Sequence, residues 1–511
     1  MSKKAAIILT LMALFHSRCG PISTPDEETV SRSVKGREPS AITIGPDTTD
    51  KAGQYLAGHF DPDNIGFIVY DLESDSVLFS HNRKRTFIPA SCAKIPTVIH
   101  ALDTLGGGHR FTTKLVTDGM FRDGSVNGNL YLHGTGDPSL DVSDIIDMVN
   151  RLKRKGIHSV SGSFHYDRSH LTRIQILDET MDLDQSYNTG VAALSTEHNY
   201  IDVRWSNNRE GEAPEIILTP DLPMFAARRS RKKTGEFPEK MTFEHRWEQN
   251  RSVWELSPDA SVKGQARLPV RLPSLYTAQL FTHIARIHGI DIPWPTHGLV
   301  PGRTTVLVKH EGKSVEAIAE STMHYSLNIH AELLFLATAR KLFGEKATYS
   351  ESARLMELYT RERFSGVDWN GYSVVNGSGL SSKNRISPEQ MLALLIYADS
   401  REFGARSFSY FLQPSGWNYS LRNRFSHNYG AFRIYAKTGM INYAVGLAGY
   451  LHTYSGKHLL FAFFNSNEYL RYLHEQNPER YGEKAYDQAC KWKYAYRAAM
   501  DRIIETWITS L

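Results

Sequence analysis

The spacing of apolar residues changes along the chain, and each change marks an element. Residues 5–15 are an apolar run, interrupted by Thr10, behind Lys3 and Lys4 and followed by small and polar residues. That run is too short to span a bilayer and fits the core of a secretory signal, so residues 1–20 are expected to be a signal peptide cleaved near Ser17 to Gly20. Residues 21–50 are rich in Ser, Thr, Pro, Asp and Glu with few large apolar side chains, which predicts a flexible tether. Residues 66–70 and 76–80 are apolar runs of β type separated by Asp71-Leu72-Glu73-Ser74-Asp75, the pattern of a hairpin. The period then turns helical: Ile95, Val98, Ile99, Leu102 and Leu105 share one face, and Gly106-Gly107-Gly108 stops the helix.

Beyond Phe111 the pattern becomes short strands and tight turns, with Asp123-Gly124 and Asn127-Gly128 as turn dipeptides. Residues 141–156 predict an amphipathic helix ending at Gly156. A β-rich region follows, with a polar, basic stretch over about 207–250, and helical spacing returns over 274–289. Residues 315–342 and 349–363 are predicted helices. Residues 432–437, 443–451 and 458–464 are apolar or alternating and joined by glycine-containing turns, so they predict adjacent antiparallel strands. A final helix is predicted over 484–508, with Ala485, Ala489, Trp492, Tyr496, Met500, Ile503 and Trp507 on one face.

Composition narrows the class. At 511 residues, 41% apolar and 22% charged, the chain predicts a globular protein of two or three domains. A net charge of +4 is too small to argue for nucleic acid binding. The one dense basic run, Arg228-Arg229-Ser230-Arg231-Lys232-Lys233, is read as a solvated loop. The cysteines, Cys19, Cys92 and Cys490, make no disulfide framework, and neither a metal-ligand cluster nor a phosphate-cradling glycine motif is present in the sequence. No metal or cofactor is expected.

The candidate chemistry starts where loop gives way to the first long helix, at Ile88-Pro89-Ala90-Ser91-Cys92-Ala93-Lys94. Residues three apart lie on one helix face, so the Ser91 hydroxyl and the Lys94 amine can meet. Serine is a poor nucleophile until a base takes its proton, and a neutral lysine can be that base. Its pKa must then fall from about 10.4 to near 7, a difference of about 4–5 kcal/mol between its protonation states. Alone, Ser-x-x-Lys is a pattern of many surface helices. Ser326-Leu327-Asn328 on or beside a helix, and Lys437-Thr438-Gly439 at the edge of a late strand, are equally common when taken singly. Their order and context are not.

That ordered triple resembles the signature of penicillin-binding proteins and serine β-lactamases. The runs 128–138 (Gly-Asn-Leu-Tyr-Leu-His-Gly-Thr-Gly-Asp-Pro), 187–195, 326–333 and 376–381 (Asn-Gly-Ser-Gly-Leu-Ser) are similar to segments of one subgroup. That subgroup is the D-alanyl-D-alanine carboxypeptidase/endopeptidases, the class C low-molecular-mass penicillin-binding proteins. The resemblance implies an α+β, transpeptidase-like catalytic domain, an antiparallel sheet flanked by helices plus a helical subdomain, formed by residues 51–108 and 270–511. It also implies β-rich inserted domains, two in number, over 109–269. The implied reaction is acyl transfer from the terminal D-Ala-D-Ala of peptidoglycan stem peptides through Ser91, with DD-endopeptidase action on cross-links as a further activity the resemblance implies and β-lactams as covalent inhibitors. Lys94 is the implied base, Ser326 a proton relay and Asn328 a holder of Lys94 and the substrate amide. Lys437 and Thr438 would bind the substrate carboxylate, and Gly439 would let the strand approach the peptide. The backbone N–H groups of Ser91 and Met440 would form the oxyanion hole.

Several positions depart from the family pattern. Met440 stands where threonine or serine is usual, Asn376 where aspartate is frequent and Ser382 where arginine is common, with Lys383 beside it. A serine β-lactamase and a catalytically weak peptidoglycan-binding homologue stand as alternatives. The expected location is the cell envelope or periplasm, with Cys19 a lipid-anchoring alternative to plain cleavage.

Overall fold

A computed structural model describes residues 60–206, 215–229, 243–248, 251–256, 263–344, 347–417, 419–425, 430–477 and 483–511. The expected signal peptide and tether lie outside them. Among the described residues no helix is long and apolar enough to cross a membrane.

Both ends of the described chain build one six-stranded sheet. In spatial order its strands are Gln413–Pro414, Ile434–Ile441, Ala444–His452, His458–Ser466, Ile65–Asp71 and Ser76–His81. Every pairing is antiparallel. The strand Ile65–Asp71 is buried along its whole length because both faces of the sheet are covered. Phe67, Val69, Phe461 and Phe463 point to one face, where Met500, Ile503 and Trp507 of the helix Glu483–Ser510 close over them. Ile68, Tyr70, Ala462 and Phe464 point to the other, against the helices Lys94–Leu105 and Pro388–Asp399. The alternation is the period of two that a strand imposes.

A second core holds the insertion. The strands Thr296–His297, Phe164–Asp167, Leu130–Gly134, Arg110–Thr117 and Thr305–Ser314 form a five-stranded sheet in that order. Two three-stranded sheets adjoin it, one centred on Tyr200–Ser206 and the other on Arg251–Leu256. Leu115, Ile145, Val203, Trp254 and Phe281, drawn from all of these regions, meet in one contiguous apolar cluster. Within the described residues these sheets of the insertion share one apolar cluster. The far boundary of the insertion differs from the expected one. The helix Pro273–Ile287 packs Tyr276, Phe281 and Ile284 into this second core, and Thr305–Ser314 pairs with Arg110–Thr117. The chain returns to the first core at Val315, in the helix Val315–Tyr325, and not near residue 270. Arg228 and Arg229 belong to the strand Phe225–Arg229, where Arg228 pairs with Glu248 and Glu255. The remainder of that basic run lies outside the described residues.

Candidate active site

The Ser91 segment is a 3₁₀ turn, Ala90–Ala93, running into the helix Lys94–Leu105. Ala90, immediately before the serine, has φ 46°, in the left-handed region that costs a non-glycine residue about 1–3 kcal/mol. Two close approaches hold it there. Gly439 lies so near the turn that a Cβ would collide with the Pro89 carbonyl, and a Cβ on Gly379, φ 77°, would overlap the Ala90 carbonyl. The sequence reading gave Gly439 to close passage of the substrate; in the structure its near neighbour is the turn that carries the nucleophile. Beneath Ser91, the buried Cys92 thiol donates to the Lys437 carbonyl at 3.2 Å. Burial pushes that thiol up to about 12, so it packs as a neutral group.

Lys94 is fully buried and its Nζ has three partners. They are Ser91 Oγ at 2.9 Å, Asn328 Oδ1 at 2.8 Å and the Ser378 carbonyl at 2.7 Å. The Asn328 amide is oriented by its other end, since Nδ2 donates to the Tyr187 carbonyl at 3.0 Å. Desolvation is the main force that brings the Lys94 pKa well below its usual value, and the nearby Lys437 charge adds to it. Glu332 and Cys92 act the other way.

Asn328 comes into reach because the predicted long helix is broken. Val315–Tyr325 ends at Ser326, φ 57°, and a new helix, Asn328–Phe343, begins two residues later. The break places Ser326 and Asn328 along a cleft of about 530 Å³, with Tyr187, Tyr200, Tyr325, Arg267 and Lys313 on its walls. Among the described residues Ser326 makes no hydrogen bond to Ser91 or Lys94. It stands beside that trio, not in it.

Lys437, Thr438 and Met440 lie on Ile434–Ile441. The neighbouring strand Gln413–Pro414 reaches only Ala436 and Tyr435, so among the described residues 437–441 leave one edge of the sheet without a strand partner. An extended peptide can pair with such an edge. Lys437 is buried, donates 2.9 Å to the Thr438 carbonyl, and is lowered to about 8 by desolvation. It therefore keeps its proton at neutral pH.

Two groups that bear on the site escaped the sequence reading. The loop over residues 377–381 supplies the Ser378 carbonyl to Lys94. Its position is held by Glu332, fully buried one turn after Asn328. Glu332 accepts from the Ser378 N–H at 2.8 Å, the Gly377 N–H at 3.2 Å and the Tyr349 hydroxyl at 2.5 Å. The available signal was a carboxylate inside an apolar helix, four residues from Asn328 and hence on its face. Ser382 is buried against Glu475, which pairs with Arg471, whereas Lys383 is exposed.

A family model described as the D-Ala-D-Ala carboxypeptidase 3 (S13) family matches residues 54–489. The chain is 24% identical over 423 residues to the D-alanyl-D-alanine carboxypeptidase DacB of Haemophilus influenzae, covering 78% of this chain and 85% of that one. It is 26% identical over 422 residues to the D-alanyl-D-alanine carboxypeptidase of Actinomadura sp. (strain R39), covering 78% and 77%. Its fold is similar to the crystal structure of penicillin binding protein 4 from Haemophilus influenzae, with a TM-score of 0.71 at 22% identity over 82% of this chain and 94% of that one. A β-lactam complex of that protein aligns with a TM-score of 0.68, at 22% identity over 79% and 90%.

Proposed function

The chain belongs to the D-Ala-D-Ala carboxypeptidase 3 (S13) family, and on that premise we propose that it is a serine D-Ala-D-Ala carboxypeptidase working through an acyl-enzyme on Ser91. The observation that carries the reading is the set of three partners around Lys94 Nζ. A neutral amine has two N–H donors and one lone pair. The Ser378 carbonyl and Asn328 Oδ1 only accept, so they take both donors and leave the lone pair aimed at the Ser91 hydroxyl. Burial favours the neutral form of this base, and its other two bonds orient it.

In the reaction the Ser91 proton passes to Lys94 as Oγ bonds to the carbonyl carbon of the penultimate D-alanine of a stem peptide. The N–H groups of Ser91 and Met440 stabilise the oxyanion; loss of one such donor typically costs roughly a hundredfold in turnover. The amide C–N bond breaks, and the leaving nitrogen takes the proton from Lys94 by way of the Ser326 hydroxyl. Water then adds across the ester, giving its hydroxyl to the acyl carbon and returning a proton to Ser91. Lys437 and Thr438 hold the terminal carboxylate while the peptide lies along the open edge of residues 437–441. β-Lactams acylate the same serine. We further propose export to the cell envelope with residues 1–20 removed.

Intact-mass measurement with benzylpenicillin, followed by assay of D-alanine release from a D-Ala-D-Ala pentapeptide, tests this reading. A stable adduct on Ser91 and release abolished by Ser91→Ala are expected. Rapid drug turnover without D-alanine release would make the protein a β-lactamase, and absence of any adduct would leave it a binding homologue.

A further inference from the structure

The cleft that Ser326 and Asn328 border is larger than the proposed reaction requires. At about 530 Å³ it has room for a drug-sized ligand. Neither Lys437 nor Thr438, which hold the terminal carboxylate in that reaction, lies on its walls. Part of the wall belongs to the insertion, and one group there is arranged as a carboxylate receptor. Arg267 stands directly opposite Asp202 where the strand Lys263–Pro269 pairs with Tyr200–Ser206. Its Nε donates to Asp202 Oδ1 at 3.2 Å, and its guanidinium lies over the Tyr200 ring, 4.7 Å from the centroid. The ion pair and the ring orient the guanidinium, and among the described residues its two terminal nitrogens have no hydrogen-bond partner. A planar fork held in this way matches the two oxygens of a carboxylate.

The backbone that leads into Tyr200 is strained. Glu197, His198 and Asn199 have φ of 53°, 53° and 58°, three successive side-chain-bearing residues in the left-handed region that such residues avoid. The surroundings impose the conformation. Asn199 is fully buried; its Oδ1 accepts from the Thr196 N–H at 3.1 Å, and its Nδ2 donates to the Gly190 carbonyl at 2.9 Å. The Glu197 N–H donates to the Leu140 carbonyl at 3.3 Å. The turn sets the His198 ring against that of His330, with centroids 5.2 Å apart, and His330 follows Asn328 by two residues on one helix. The insertion's wall is thus fixed against the helix that carries Asn328. Strain kept in place beside a cleft is a functional signature. The carboxylates on the cleft walls, Asp141 and Glu197, are engaged by other donors. Asp141 accepts from the Asp144 N–H at 3.0 Å and the Ser143 hydroxyl at 2.5 Å, and Glu197 accepts from the Val142 N–H at 2.9 Å. Lys313 adds a second cation to the same walls.

We propose that Arg267, braced by Asp202 and Tyr200, anchors a subsite on the insertion that binds a free carboxylate of the stem peptide remote from the scissile bond. The inference rests on the carboxypeptidase reading. This carboxylate is a second one, distinct from the terminal carboxylate assigned to Lys437 and Thr438. Two parts of a peptidoglycan substrate carry such a group: an acidic residue earlier in the stem peptide being cut, and the second stem peptide where the bond cut is a cross-link. Held by Arg267, a part of the substrate that does not react supplies binding energy that can orient the bond that does.

The test measures kcat/KM on three substrates for the wild type, Arg267→Ala and Arg267→Lys. They are a D-Ala-D-Ala pentapeptide with its acidic residue, a shorter D-Ala-D-Ala peptide without it, and a cross-linked stem-peptide dimer. The Arg267 side chain is 60% exposed, so its replacement leaves the core intact. Each acid-bearing substrate is read as a ratio to the shorter peptide. In Arg267→Ala that ratio is expected to fall roughly tenfold to a hundredfold, the scale of hydrogen bonds to a charged group. Arg267→Lys, which keeps the charge and loses the fork, should restore part of it. A fall for the pentapeptide assigns the carboxylate to the stem being cut, and a fall for the dimer alone assigns it to the second stem. Amidating that carboxylate should reproduce the fall in the wild type and add nothing in Arg267→Ala. Ratios unchanged for both substrates overturn the subsite and leave the carboxypeptidase reading standing. Failure of that reading looks different: no D-alanine is released even from the shorter peptide, and no penicillin adduct forms.

Discussion

Replacing Glu332 with glutamine removes a charge while keeping the side chain's size, and its effects follow from three hydrogen bonds. Oε1 accepts from the Ser378 N–H, and Oε2 accepts from the Gly377 N–H and the Tyr349 hydroxyl. Glutamine retains the first. Its amide nitrogen then faces the other two, and the tyrosine hydroxyl can turn to accept from it. The Gly377 N–H cannot turn, so one buried donor loses its partner at about 1–3 kcal/mol. The melting temperature should fall by a few degrees. Alanine would orphan all three donors, a loss comparable with much of a domain's stability, and is the poorer probe.

The pH dependence separates positioning from packing. Glu332 holds the Lys94 pKa up, so its neutralisation lowers that pKa, and the unprotonated base persists to lower pH. The acid limb of the acylation rate should therefore move to lower pH. At the plateau the rate should drop, because the Ser378 carbonyl no longer holds Lys94 firmly. The assay is the second-order rate of benzylpenicillin acylation, followed by intact mass across pH. An acid limb and plateau both identical to the wild type would refute the argument, whatever the melting temperature does.

Lys437→Met should move the same limb the opposite way, to higher pH, because the Lys437 charge lowers the Lys94 pKa; KM for the pentapeptide should rise with it. Met440→Thr adds a hydroxyl to the strand that faces the substrate carboxylate, and kcat/KM for D-alanine release should rise roughly tenfold, as one hydrogen bond to a charged group allows. Trp507→Ala empties a site packed on Phe67 and Phe463, and should cost about 3–5 kcal/mol in denaturant unfolding while leaving the pH profile in place.

Elements buried on a regular face were legible in the sequence. The strands 444–452 and 458–466 stand within two residues of their expected limits because helices cover both sheet faces and force apolar side chains throughout, whereas the strand expected at 432–437 runs from 434 to 441 and takes in Thr438, Gly439 and Met440. Ser91, Lys94 and Asn328 meet as their motifs implied. What the motifs left silent is carried by the backbone: the Ser378 carbonyl, the left-handed Ala90 and Ser326, and the helix break at Ser326 that puts Asn328 in reach. The helix Pro273–Ile287 has the same amphipathic pattern whichever core it joins, so its periodicity does not say where the insertion ends. Only the pairing of 305–314 with 110–117 does. Arg228 reads as solvated from its neighbours in sequence, and its partners Glu248 and Glu255 come from other strands.

Two lysines buried in one small region, Lys94 and Lys437, are expensive to the fold, and their pairing has a consequence for the order of events. Lys437 stays charged at neutral pH, and among the described residues its ammonium donates to the Thr438 carbonyl, a dipole and not a counter-charge. In the proposed reaction the substrate's carboxylate is that counter-charge. While it is bound, it offsets the repulsion between the lysines and raises the basicity of Lys94 at the step where Lys94 must take the Ser91 proton. When D-alanine departs, the carboxylate leaves with it and the repulsion returns. Lys94, which has already passed its proton to the leaving nitrogen, is then kept neutral as water attacks the ester. In the proposed reaction one mobile negative charge thus serves recognition and also times the base.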